Sequence, residues 1–259
     1  MVSRTGPDEM AAEFDTMPVW TAQAVASLGS SYAVPAACRG SGTPAALEWL
    51  LRGLRPAPGE ALLDVGAGMG GPATFARLST GARPVLVEPS LDACRASREL
   101  FDAAATCAVG ERLPFGDNAF RVAWCLGTIC TTPEQDELVA ELGRVVRPGG
   151  RLGLLTVVRA DGARFEPPSG NHFPTVGRLH AMLDAAGLEV VAERPSDSFA
   201  EAPRTWRAAE DSVARLVEER HHRDPRFAAT VRQEATMGRL RSAGHIAGMM
   251  TLATRPPSQ

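Results

Sequence analysis

Short apolar runs alternate with helical segments along most of the chain, from about residue 60 onward. Glycine, proline or polar residues bound each run, as is typical of strands in a sheet. Between the runs, apolar residues recur every three or four positions, which predicts amphipathic helices. Because strands alternate with helices, we expect an α/β fold built on a doubly wound sheet of seven strands. The predicted strands are Ala61–Val65, Val85–Glu88, Ala104–Val109, Arg121–Leu126, Arg151–Val158, Leu188–Ala192 and Ile246–Thr254.

Helix-start signals stand in front of three of the predicted helices. Ser90 and Thr175 each precede a helical pattern, where a hydroxyl can accept a free backbone N–H of the first turn. Thr132, Pro133 and Gln135 form a capping box with proline at the first helical position. These signals predict helices that begin at Ser90, Thr132 and Thr175.

Two helical regions flank or interrupt the sheet pattern. One precedes the first strand, and the other consists of two helices, roughly Trp206–His221 and Pro225–Ser242, before the last strand. Open α/β sheets bind ligands at the carboxyl ends of their strands, so both regions are expected to form a lid there. The predicted segments of this single domain are an N-terminal helical segment (1–58), a core (59–193), a helical lid insertion (194–244) and the last strand with a tail (245–259).

Composition narrows the function classes. The chain has 259 residues, of which 44% are hydrophobic, enough for one substantial domain with a smaller addition. A net charge of −3 and a pI near 6.0 argue against a nucleic-acid partner. All 27 basic residues are arginine, which excludes Schiff-base, pyridoxal-phosphate and P-loop lysine chemistry.

The five cysteines and the N-terminus favour a cytoplasmic setting. The cysteines contain no C-x-x-C pair and are odd in number, unlike a disulfide scaffold. The N-terminus lacks the apolar core that a signal peptide needs, and it carries the acids Asp8, Glu9, Glu13 and Asp15. No apolar run approaches the length of a membrane span. We expect a small-molecule substrate and neither a nucleic-acid nor a membrane partner, and a homodimer stays open.

A glycine-rich turn follows the first predicted strand, in the stretch ALLDVGAGMGG (Ala61–Gly71). A strand, a glycine turn and a helix opened by proline make a nucleotide-binding device. The glycines satisfy both G-x-G-x-x-G, typical of dinucleotide sites, and G-x-G-x-G. Asp64 distinguishes between these two kinds of site, because its carboxylate would repel a pyrophosphate but attract the cationic amino-acid end of S-adenosylmethionine (SAM). SAM is the favoured cofactor, with S-adenosylhomocysteine (SAH) as product, and NAD is the alternative.

Three motifs together carry a family resemblance. They are the D-x-G-x-G-x-G turn beginning at Asp64, ERLPFGDNAF (Glu111–Phe120) and RVVRPGGRL (Arg144–Leu152). The set resembles the class I SAM-dependent methyltransferases, in particular the small-molecule type of the ubiquinone/menaquinone C-methyltransferase family, over about Leu47–Val191. This resemblance implies a Rossmann-like sheet whose last strand is antiparallel.

The cofactor site is expected along the ends of the first, second and fourth strands. Glu88 lies 22 positions after Gly66, where an acid suits the two ribose hydroxyls. The resemblance places the adenine near Glu111. Relatives often carry Asp where this chain has Val109, so backbone groups of Gly110 and Glu111 are expected to take over there. The predicted cofactor-binding residues are Asp64, Gly66, Ala67, Gly68, Gly70, Glu88, Pro89, Gly110, Glu111 and Leu126.

The catalytic prediction rests on one histidine in the loop after the fifth strand. His172 is the candidate general base, since the imidazole pKa suits that role, with an exposed loop histidine as the alternative. Relatives often carry histidine where this chain has Cys130 and Thr131, and for Cys130 a packing role is favoured over a thiol or metal role. No metal site is predicted. The expected substrate pocket comprises Tyr32, Arg39, Gly127, Thr128, Cys130 and Trp206.

These observations predict methyl transfer from SAM to an oxygen, nitrogen or carbon atom of a small molecule. The reaction is an in-line SN2 displacement for which the protein aligns the acceptor and excludes water. Two alternatives stay open: an NAD-dependent oxidoreductase, and a SAM-binding protein of the same fold, such as a cyclase, that does not methylate.

Overall fold

The computed structural model describes residues 9–257. The prediction made for Asp8, the end of the predicted tail and the side chains of Glu9 and Glu13 lie outside the described residues. Among the described residues, no helix is both long enough and apolar enough to cross a bilayer.

Seven strands form a single sheet in the order β3-β2-β1-β4-β5-β7-β6. The first five pair in parallel, and β7 is antiparallel to both β5 and β6. The predicted doubly wound sheet with an antiparallel last strand is therefore confirmed. The strands are β1 (Ala61–Val65), β2 (Arg83–Glu88), β3 (Ala105–Cys107), β4 (Phe120–Leu126), β5 (Val146–Arg159), β6 (Glu189–Pro195) and β7 (Ile246–Thr254).

Helices cover both faces of the sheet and lie near the carboxyl ends of its strands. Ser90 and Thr175 cap their helices as predicted, each accepting a backbone N–H three residues further on. The helices are α1 (Glu9–Leu28), α2 (Ala33–Ala37), α3 (Pro44–Leu54), α4 (Gly71–Thr80), α5 (Leu91–Phe101), α6 (Gln135–Val145), α7 (Val176–Ala185), α8 (Arg204–His221) and α9 (Pro225–Ser242).

The predicted capping box before α6 is wrong, since the helix begins at Gln135. Thr132 Oγ accepts the backbone N–H of Glu134 and donates to its carboxylate, which forms a local turn and not a helix start. The Gln135 side chain points away from the helix, and its amide donates to the carbonyls of Ile129 and His172. The polar side chains thus tie the loop after β4 to the loop after β5.

Strand β5 begins at Val146, five residues before the predicted start. The Arg147–Gly150 stretch continues the strand because Gly149 and Gly150 exchange backbone hydrogen bonds with Arg255, just beyond β7. A glycine pair is a turn signal in sequence, but here a neighbouring strand end supplies its partners.

Each face of the sheet buries its own apolar layer. On one face, β1 residue Leu63 packs with α6 and α7 through Leu138 and Leu179. On the other face, Leu62 packs with Trp124 of β4 and Leu50 of α3. This alternation follows from the two-residue period of a strand, and it puts Asp64 on the same face as Leu62.

The two predicted lid segments pack against each other. Trp20 and Ala24 of α1 share an apolar cluster with Val213 and Val217 of α8. The backbone of α2 lies against the start of α4, where a Cβ on Gly71 would stand 2.3 Å from the Ala37 carbonyl carbon. The N-terminal helices therefore connect the helix after the glycine turn to the α8–α9 pair.

Candidate functional site

The glycine turn runs from the end of β1 into α4. Gly66 and Ala67 both donate their backbone N–H to the carbonyl of Val87 in β2, which holds the turn against the neighbouring strand. Gly66, Gly68 and Gly70 have φ values of 71°, 53° and 78°. Residues with a Cβ rarely adopt this left-handed region, so the backbone path itself requires these glycines.

The two sides of the turn differ in their surroundings. A Cβ on Gly66 would stand 2.0 Å from Thr128 Oγ1, so the end of β4 closes off that side. By contrast, no described atom comes within 4 Å of a Cβ position on Gly68. The turn therefore offers open space along its middle, where a ligand can approach the backbone.

Asp64 is the buried acid directly before this turn. Its side chain is 1% exposed, and its Oδ2 atom has no hydrogen-bond partner among the described residues. Burial raises the pKa of Asp64 to about 7; the neighbouring Trp124 indole N–H, which is also buried and has no partner within hydrogen-bond distance among the described residues, opposes the rise, and the charge of Glu88 adds to it. A buried oxygen without a donor is unfavourable, so this site is suited to a ligand that brings a cation or an N–H.

This burial predicts a pH-dependent stability. The folded state holds the Asp64 proton more tightly than the unfolded chain, whose pKa is near 3.8. The free energy of unfolding should therefore fall as pH rises from about 4 to about 7. Asp64→Asn should reduce this decline and be more stable than wild type at neutral pH. Urea unfolding of both proteins across this range checks it, and an unchanged slope in the variant would contradict the burial argument.

Glu88 joins the glycine turn to the start of α5. Its Oε2 accepts the backbone N–H of Gly68 at 2.8 Å, and its Oε1 accepts that of Ser90 at 2.9 Å. Burial raises the pKa of Glu88 above its ordinary value. The Ser90 hydroxyl donates in turn to Asp15 of α1 at 3.0 Å, so the first helix lies over this end of the site. The carboxylate is thus fixed beside the turn that the sequence assigned to the cofactor.

The remaining predicted cofactor residues surround the same strand ends. Ala67 and Leu126 are buried, and Pro89 is exposed between Glu88 and Ser90. Gly110 is packed so closely that a Cβ would stand 2.5 Å from Leu138 Cδ1. Half-buried Glu111 follows it on the loop after β3.

A cavity of about 430 Å³ lies against the last third of β5, at Leu155 and Val157. The turn between α2 and α3 forms one wall, and α8 and the end of α9 form the opposite walls. Its volume is within the range of pockets that hold small organic ligands. The charged residues on its walls are Arg39, Glu210, Asp211 and Arg241, and the uncharged ones are Cys38, Gly40, Gly42, Thr43, Leu155, Val157, Ser196, Ala214 and Gly248.

Three of the predicted pocket residues lie at this cavity or beside it. Arg39 lines it and forms an ion pair with Glu234 of α9. Trp206 donates its indole N–H to Glu210 Oε1 at 3.1 Å and so orients a wall residue. Gly127, at the end of β4, lies close to the turn, since a Cβ on it would stand 3.8 Å from the Gly40 carbonyl oxygen.

The other predicted pocket residues lie elsewhere. Tyr32 packs in the cluster between α1 and α8, and Thr128 lies against Gly66. Cys130 is 3% exposed, packs with Phe173 and Ile246, and has its pKa raised by burial. These contacts match the favoured packing role for this thiol.

The structure does not bring His172 to the cavity. Its backbone N–H donates to the Cys130 carbonyl at 2.8 Å, while its side chain is exposed. This arrangement matches the alternative of an exposed loop histidine.

Sequence reasoning missed the charged residues that α8 and α9 contribute. Glu210 stands four positions after Trp206 on a helix, a spacing that places two side chains on one face. This spacing could have indicated that Glu210 shares a helix face with Trp206. It could not show that this face meets the sheet, because helix–helix packing decides that. Asp211 and Arg241 gave no such signal.

Comparison with known proteins finds a methyltransferase match over part of the chain. Residues 63–154 match the family described as "Methyltransferase domain". The matched residues include all three motifs that carry the sequence resemblance, and the sheet has a Rossmann-like strand order.

Individual relatives are more distant. "Methyltransferase GfsG" of Streptomyces halstedii is 31% identical over 43% of this chain and 42% of its own length. "Demethylmenaquinone methyltransferase" of Corynebacterium urealyticum is 30% identical over 60% of this chain and 64% of its own. The chain thus spans 42% and 64% of the length of these two curated relatives. The fold of the "[4+2]-Cyclase SpnF" matches with a TM-score of 0.71 and 21% identity over 99% of both chains.

Proposed function

We propose that this chain binds SAM and transfers its methyl group to a small-molecule acceptor. The observation that carries the proposal is the pair of buried acids on one glycine turn, with the unpartnered Oδ2 of Asp64 on one side and Glu88 on the other. The methyltransferase domain over residues 63–154 supports it.

The residues present fit this cofactor. The unpartnered Asp64 carboxylate suits an ammonium group, and the space beside Gly68 allows close approach to the backbone. Glu88 has two oxygens, which suit two neighbouring hydroxyls of a ribose. When bound, SAM supplies an electrophilic methyl group on a sulfonium.

The chain's own contribution is binding, orientation and exclusion of water. Asp64 and the turn hold the amino-acid end, and Glu88 holds the ribose. The α2–α3 turn, α8 and α9 enclose the acceptor next to the strand ends. Alignment of two reactants in one enclosed site is a large source of rate enhancement.

Ligand-dependent stabilisation tests this proposal against the NAD alternative. SAH should raise the melting temperature of the protein, because a ligand that binds the folded state alone stabilises it by mass action, whereas NADH should leave it unchanged. The SAH effect should grow as pH rises through about 7, where Asp64 loses its proton. Stabilisation by NADH and not by SAH would overturn the proposal.

A SAM-fold protein that does not methylate is the second candidate. The observation that favours it is the match to a cyclase over 99% of both chains, which includes the lid helices. Methyl-labelled SAM separates the two candidates. Transfer of label to a small molecule from a cell extract supports methylation, and SAH binding without any transfer favours the second candidate.

A further inference from the structure

We propose that Glu210 is the proton acceptor of the reaction, and that the acceptor substrate carries a hydroxyl or amine whose proton must leave. This inference rests on the proposed function. Glu210 lies on α8 and lines the 430 Å³ cavity together with Cys38, whose backbone nitrogen lies against Gly71 at the end of the glycine turn. Neither the methyltransferase domain, residues 63–154, nor the family motifs include this residue.

The carboxylate of Glu210 is held in a fixed orientation. The Trp206 indole N–H donates to Oε1, and the Trp206 ring packs edge-on against Phe75 with centroids 6.0 Å apart. Phe75 belongs to α4, the helix that follows the glycine turn. Within the described part of the chain, Oε2 has no hydrogen-bond partner. Oε1 is therefore held by a side chain that packs against α4, and Oε2 is available to a ligand.

The charged surroundings favour a carboxylate that takes up a proton. Burial raises the pKa of Glu210, and the nearby charge of Asp211 adds to this, while the Trp206 hydrogen bond and Arg39 oppose it. The other titratable or charged groups on the cavity wall are Cys38 on the α2–α3 turn and Arg241 at the end of α9. Glu234 of α9 pairs with Arg39. Burial raises the pKa of Cys38, and the charges of Glu210 and of Asp64 at the end of β1 add to this rise. A general base is most effective when its pKa is raised toward the working pH.

The chemistry of the acceptor follows from this base. The acceptor oxygen or nitrogen forms a bond to the methyl carbon while the carbon–sulfur bond breaks, and the electron pair of that bond stays on sulfur. The proton of the oxygen or nitrogen passes to Glu210 Oε2, and the neutral carboxyl later releases it to water. Leu155, Val157 and Ala214 give the same cavity apolar walls, so we infer an acceptor with an apolar body.

Proton uptake on ligand binding tests the assignment without turnover. The probe is para-nitrophenol, added to the SAH complex at a pH where the free phenol is ionised. An ionised phenol and an ionised carboxylate in one cavity repel, so wild type should take up about one proton per site on binding. Calorimetry in two buffers of different ionisation enthalpy measures this. Glu210→Gln keeps an oxygen for Trp206 and should bind the probe without proton uptake.

A matched control and a rate comparison complete the test. Glu218→Gln changes an exposed acid on the same helix and should behave as wild type. With para-cresol, whose proton must be removed, Glu210→Gln should slow methyl transfer from SAM about 100-fold. With ionised para-nitrophenol its rate should stay within a few fold of wild type. Equal proton uptake in Glu210→Gln and wild type, or no binding of the phenol to wild type, would overturn the inference. If SAH still binds, the proposed function survives that failure.

Discussion

Glu88→Ala should lower the affinity for SAH about 100-fold while the protein stays folded. The carboxylate is buried and faces the glycine turn, and its remaining lone pairs can accept two ribose hydroxyls beside its present bonds from Gly68 and Ser90. Hydrogen bonds to a charged group contribute about 1.5 kcal/mol or more each, so loss of two costs about 3 kcal/mol. Isothermal titration calorimetry with SAH measures the change.

Glu99→Ala is the matched control for this variant. Glu99 is an exposed acid on α5, the helix whose start Glu88 contacts, so its removal changes the same net charge without touching the turn. Its SAH affinity should equal that of wild type. If Glu88→Ala also binds SAH like wild type, the ribose does not lie on Glu88 and the placement of the cofactor is wrong.

Gly71→Ala should destabilise the fold by about 2 kcal/mol, the usual cost of an overpacked contact. Its Cβ would stand 2.3 Å from the Ala37 carbonyl carbon and 2.7 Å from the Cys38 nitrogen. Both are backbone atoms, which cannot rotate out of the way, so α2 must move away from α4. The free energy of unfolding in urea measures the loss.

Gly238→Ala adds the same methyl group but should change the stability in the opposite direction. Gly238 lies inside α9, and no described atom comes within 4 Å of the added Cβ. Alanine in a helix interior is favoured over glycine by about 0.5–1 kcal/mol, so this variant should be more stable than wild type. If Gly71→Ala and Gly238→Ala change the free energy of unfolding by the same amount, α2 does not pack on Gly71 as described.

The sheet and the cofactor turn could be predicted because local sequence determines them. The apolar run of β1, Asp64 and the three glycines at positive φ lie within ten residues of one another. Motif spacing also located Glu88, since two parallel strands joined by one helix bring their ends together. No information from distant parts of the chain was needed for these elements.

The cavity proposed for the methyl acceptor depends on packing between distant parts of the chain, which local sequence patterns do not show. The cavity joins the α2–α3 turn to α8 and α9, which lie about 170 and about 200 residues away along the chain, as in the contact of Arg39 with Glu234. Helical periodicity predicted both helices within two residues of their observed bounds. It could not tell that Glu210 faces inward or that His172 faces solvent. The α6 start was wrong for a similar reason, because the Gln135 side chain bonds to carbonyls of two loops.

A crystal structure of the protein with SAH tests the central claim most directly. We expect the ribose hydroxyls on the Glu88 carboxylate, the ammonium group next to Asp64 and the sulfur facing the cavity that Glu210 lines. A ligand bound with its ribose away from Glu88, or with its amino-acid end away from Asp64, would contradict the account.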